Sequence, residues 1–136
     1  MGGVGQYGYA QEFHAAGKKA GFPLVRAYLL GLAIELYLKV FLLREDFPSA
    51  RLKRKYGHDL EALLAEAKNR GIEELIRISP QITDDLKRLN ALYPQSLRYF
   101  SLTHLLKPPS IPPLARLFRF ANSLSKGLER HVAVKP

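Results

Sequence analysis

Between residues 24 and 43 the chain runs almost unbroken through apolar side chains, with only Arg26, Glu35 and Lys39 carrying charge. A helix that is apolar on nearly every side has to be covered on nearly every side. The run therefore predicts one central helix over residues 24–45, closed by Pro48, with the rest of the chain packed around it. Its length approaches that of a membrane span. However, each of the three charges would cost about 2.5–3.5 kcal/mol at a bilayer centre, so a buried bundle helix is the better reading. At 100° per residue, Tyr28, Gly31, Glu35, Lys39 and Leu42 share one face, with Arg26 and Arg44 opposite.

Other helices follow from spacing and end signals. Residues 1–8 hold four glycines and read as a frayed tail. Residues 9–20 read as a short helix ended by Gly21 and Pro23. A helix over residues 58–70 has Asp59 and Glu61 in its first turn and Lys68 and Arg70 in its last, which matches the macrodipole; Gly71 fits the position past its end. Its inward stripe is Leu60, Leu63, Leu64 and Ala67. Residues 72–78 can add a helical turn or two. Ser79 then suits an N-cap, with Pro80 at the first helical position, and Ile82, Leu86 and Leu89 form the apolar face. Prolines at 108, 109, 112 and 113 stiffen a link over residues 107–113. The last helix, residues 113–131, turns Leu114, Leu117, Phe118, Ala121, Leu124 and Leu128 inward. No strand alternation or internal repeat is present. The fold class is all-α, a bundle of about five helices in a single domain over residues 1–136.

With no cysteine, disulfides and thiolate metal sites are excluded, and a reducing, cytoplasmic location is expected. His14, His58, His104 and His131 form no spaced ligand pair, so neither a metal nor another cofactor is expected. The start of the chain lacks the basic-then-apolar pattern of a secretory signal, and no membrane association is expected. Charge is placed unevenly. Residues 1–85 hold 12 Lys/Arg against 11 Asp/Glu, and residues 86–136 hold 9 against 1, giving the net +9. A basic C-terminal third suits a polyanion, RNA first, although solubility alone is the plainer account. Arg116, Arg119, Lys126 and Arg130 fall within roughly an 80° wedge of the last helix. Arg51, Lys53, Arg54 and Lys55 form a second basic stretch.

Three constellations carry chemistry. Glu35 and Lys39, one turn apart, are either an ordinary surface pair worth about 0.3–0.5 kcal/mol or the polar lining of a cleft. His58 and Asp59 open a helix, where they either cap it or stand beside backbone N–H groups able to hold an anion. Arg98 and His104 combine a phosphate-gripping guanidinium with a group that transfers protons at neutral pH. On one straight helix, residues six apart lie about 120° around and roughly 9 Å along the axis. That pair therefore converges only if Arg98 precedes the helix or a second subunit completes the site; otherwise Arg98 is a surface cation and His104 a helix-end residue before the proline link.

The order Ala33-Ile34-Glu35-Leu36-Tyr37-Leu38-Lys39, a basic connector, then Gly57-His58-Asp59-Leu60 before Leu63-Leu64 resembles the HEPN families, over about residues 13–104. The resemblance implies an up-and-down four-helix core and a homodimer. It also implies metal-independent RNA cleavage, with Arg98 and His104 matching the family's Arg-x(4–6)-His motif and Glu35, Lys39, His58 and Asp59 in support. Tyr99 stands where active members place Asn, Asp or His, which favours the other role known in these families, a non-catalytic module. Such a module would bind RNA, nucleotide or an acidic protein through the basic last helix. Some HEPN proteins sit beside nucleotidyltransferases in toxin–antitoxin or phage-defence loci, so a nucleotidyltransferase or antitoxin partner is implied as well.

Overall fold

The computed structural model describes residues 4–45, 57–92 and 111–134. Its described residues are all-helical and contain no strand: α1 (Val4–Lys19), α2 (Pro23–Arg44), α3 (Leu60–Asn69), a 3-10 turn (Ile72–Glu74), α4 (Pro80–Leu92) and α5 (Ala115–Val134). The central position expected of α2 is observed, since it contacts α1, α3, α4 and α5. Leu30, Ile34, Tyr37, Leu38, Phe41 and Leu42 are all at most 2% exposed. Burying each such side chain removes apolar area worth about 1.5–3 kcal/mol, which fixes α2 as the axis of the core. Proline enters α2 at its first position, where the missing N–H has no intrahelical partner to lose. No helix among the described residues is long and apolar enough to cross a membrane.

The N-terminal helix begins earlier than sequence suggested. Residues 4–8, expected to be frayed, belong to α1 despite Gly5 and Gly8. Each glycine costs about 1 kcal/mol against alanine in a helix interior. Tertiary contacts offset that cost. The Tyr7 hydroxyl donates to the Ser125 carbonyl at 2.8 Å, and Ala10 is fully buried.

The ends of α3 were largely readable, with one shift. The helix starts at Leu60 rather than His58, because Asp59 is its N-cap and accepts from the Ala62 N–H at 3.0 Å. Gly71 follows the C-cap Arg70 with φ of 89°, and its N–H reaches the Lys68 carbonyl at 3.1 Å. Ser79 caps α4 as expected, its Oγ accepting from the Ile82 N–H at 3.2 Å. The last helix starts at Ala115 rather than at residue 113, so Leu114 precedes α5 and is only partly covered; the other inward residues are those that spacing selects, with Phe120 buried in addition.

Candidate functional site

Glu35 is where the apolar surface of α2 is interrupted from within. It is only 4% exposed, and its carboxylate accepts from Lys39 Nζ at 2.8 Å. It also meets His58 Nδ1 at 2.9 Å and 3.0 Å through its two oxygens. The strip shared by Glu35 and Lys39 is thus covered by the turn before α3. It is not the simple wet surface pair that was one of the two readings.

That turn is locally built. Gly57 has φ of 51°, a left-handed conformation that glycine adopts without steric cost, and it throws His58 back toward α2. Behind His58, the Asp59 carboxylate accepts from Asn90 Nδ2 at 2.9 Å, while Asn90 Oδ1 accepts from the Leu60 N–H at 2.7 Å. Two donors at the head of α3 are thereby satisfied by side chains. His58 is held from both sides, by Glu35 in front and by the capped helix behind.

A carboxylate can only accept, so His58 Nδ1 carries a proton toward Glu35, and Nε2 is the basic nitrogen of the neutral ring. With 40% of its side chain exposed, the imidazole meets solvent while Glu35, at 5%, does not. A buried carboxylate with an ammonium on one of its oxygens orients this half-exposed imidazole, whose outer nitrogen can accept a proton from a hydroxyl, while the Lys39 ammonium can attract an anion.

The cationic wedge of α5 is exposed at all four positions, but only three of them are without an ion pair among the described residues. Arg119, Lys126 and Arg130 are exposed and pair with no carboxylate among the described residues. Arg116, expected among them, instead turns onto Asp85 of α4, with Nε and Nη2 donating at 2.8 Å and 3.2 Å. Asp85 is 1% exposed, so the pair closes the α4–α5 seam, while the Arg116 side chain stays 45% exposed with part of its charge committed to Asp85. The signal for this was in the sequence, because Asp85 falls about 40° beside the stripe defined by Ile82, Leu86 and Leu89, close enough to be covered with it. Arg51, Lys53, Arg54, Lys55, Arg98 and His104 lie outside the described residues.

A second buried polar group was not anticipated. His14 of α1, 6% exposed, faces Tyr37 of α2, and its Nδ1 lies 3.0 Å from the tyrosine hydroxyl. Its ring stacks on Phe118 at 6.3 Å between centroids. His14 Nε2 is buried and finds no hydrogen-bond partner among the described residues. Burial first, and the Lys18 ammonium second, hold the His14 pKa below its usual 6.5. The Tyr37 hydroxyl is pushed up to about 12, mainly by burial and against the lowering effect of a hydrogen bond with Ser125. The readable trace is the buried series Ala10, His14, Gly17, spaced by four and three.

Among the described residues no group of three His, Cys, Asp or Glu side chains is placed to hold a metal ion. No family model, curated protein or solved structure matches this chain.

Proposed function

We propose that this chain is a HEPN-like helical module that binds RNA through the outer face of α5. One observation carries the reading. Arg119, Lys126 and Arg130 stand exposed on a single face, uncompensated by carboxylates among the described residues, in the third of the chain that holds 9 Lys/Arg against 1 Asp/Glu. Each phosphate that such a face neutralises releases counterions, so affinity falls linearly with salt on logarithmic axes. Replacing Arg119, Lys126 and Arg130 by Gln is expected to flatten that slope by about 2–3 and to weaken binding at low salt. Affinity for total RNA that is the same at low and high salt would rule the reading out.

A second reading is favoured by the Glu35–His58 contact, since a histidine oriented by a buried carboxylate is the usual means of moving a proton at neutral pH. It makes the chain a metal-independent endoribonuclease, acting as a homodimer of the HEPN kind. Arg98 would grip phosphate, His104 would transfer protons, and Glu35, His58 and Lys39 would support them. Incubating RNA with the protein in excess EDTA, beside His104→Ala and His58→Ala, separates the two readings. Cleavage by wild type that His104→Ala abolishes supports the enzyme. Absence of cleavage in all three leaves the binding module. A toxin–antitoxin or defence setting, with a nucleotidyltransferase or antitoxin partner, follows from the same resemblance.

A further inference from the structure

Phe22 is the most exposed large apolar side chain among the described residues, at 77%. It occupies the N-cap of α2, the position where Ser, Thr, Asp or Asn would satisfy a backbone N–H, and it makes no capping hydrogen bond. Neither packing nor local structure explains a phenylalanine at this position. What surrounds it is cationic. Lys18 and Lys19 end α1 three and four residues before it, and Arg26 follows one turn later.

This corner is joined to α5 by two contacts. Lys18 Nζ donates to Asn122 Oδ1 at 3.0 Å, and the Arg26 guanidinium lies 5.2 Å above the centre of the Phe118 ring. Asn122 sits between Arg119 and Lys126 along the same outer face of α5. Lys18 and Arg26 thus reach the helix whose outer face carries Arg119 and, two turns on, Lys126, and Lys19 belongs to the same end of α1, beside an uncovered aromatic ring. None of the five pairs with a carboxylate among the described residues.

From this arrangement we infer that the α1–α2 corner and the outer face of α5 form one binding surface for single-stranded RNA, with Phe22 stacking on an unpaired base. The inference rests on the RNA-binding reading above and adds the form of the nucleic acid and the residue that senses it. The five cations track the phosphates, whatever the sequence. The ring takes a base face, which a duplex keeps inside its stack and a single strand offers freely. A lipid surface fits less well, because it needs an amphipathic face of several large apolar residues. Only Tyr9, Phe22 and Val25 are exposed large hydrophobics among the described residues, and Tyr9 lies most of α1 away from the corner.

The chain contains no tryptophan, so Phe22→Trp places a single fluorescent reporter in the ring's position. A short oligoadenylate is expected to quench it, while heparin and a duplex RNA of the same length bind without quenching. Phe22→Ala should weaken oligoadenylate binding about tenfold, the effect of losing one stacked base, and leave the salt slope unchanged. Because the side chain is exposed, both variants should melt with wild type. If labelled oligoadenylate binds but does not quench, and Phe22→Ala binds as tightly as wild type, this inference fails while RNA binding by α5 stands. If labelled RNA does not bind at all, both fail. A blue-shifted brightening on phosphatidylserine vesicles, without quenching by oligoadenylate, would make the corner a lipid contact and overturn the inference.

Discussion

Removing the Tyr37 hydroxyl tests the buried polar contact that ties α1 to α2. Tyr37 is fully buried and its hydroxyl lies 3.0 Å from His14 Nδ1, while His14 Nε2 already lacks a partner. Tyr37→Phe keeps the ring and leaves the imidazole without that bond, on a side chain that water hardly reaches. A buried polar atom stripped of its partner costs about 1–3 kcal/mol, and with Nε2 already unsatisfied the upper half of that range applies. At about 2.1 cal/mol/K of unfolding entropy per residue, 136 residues shift Tm by roughly 3.5 °C per kcal/mol. Tm should therefore fall by about 7–10 °C in differential scanning calorimetry. His14→Leu, of similar volume, removes both imidazole nitrogens, so the double variant should recover much of the loss and give a coupling of about 1 kcal/mol or more. Additive effects, or a loss below about 0.5 kcal/mol for Tyr37→Phe, would refute the reasoning.

The same histidine sets a pH dependence. Because the folded-state pKa of His14 is lowered, the unfolded chain takes up this proton first as pH falls. The stability concerned is present in full above about pH 6.5 and drains as pH drops below that value toward the folded pKa. His14→Leu should flatten the stability curve below about pH 6.5 relative to wild type. Arg116→Ala leaves Asp85, 1% exposed, without its guanidinium, and is expected to cost about 2–4 kcal/mol in urea denaturation. That is somewhat less than for a fully buried pair, because the Arg116 side chain is 45% exposed. Asp59→Ala removes the α3 cap and one partner of Asn90, a loss of about 1–2 kcal/mol that should also loosen His58. Protection of the first α3 amides in hydrogen exchange should fall. At Gly127 an added Cβ would lie 2.8 Å from Ile76 Cγ2, so Gly127→Ala should lower Tm even though alanine is about 1 kcal/mol the better helix former. A rise in Tm would show that Ile76 gives way.

How much was legible depended on how local the cause was. Ser79 as a cap, Pro80 behind it and Gly71 past the end of α3 are decisions made within four residues, and the structure has them where sequence put them. Residues 4–8 misled because two glycines argue locally for a frayed tail, whereas Tyr7 is held by Ser125, 118 positions away. The Arg116–Asp85 pair is likewise not legible locally. Helical spacing places Arg116 on the cationic wedge, and only the packing of α4 against α5 brings Asp85 within its reach.

By itself the sequence determined that the described residues are all-helical and that residues 24–43 lie at their centre, because an element apolar on all sides has one stable place. It also determined that positive charge gathers on the outer side of the last helix. Only the tertiary structure decided what the few polar residues inside that arrangement do. Glu35 looks identical in sequence whether it meets water or His58. A left-handed turn at Gly57 and a cap held by Asn90, 31 positions beyond Asp59, bring the imidazole onto it. Hydrophobic burial follows a period that can be read along the chain. Pairing among buried polar groups is set by distances between elements, and those exist only once the helices have packed.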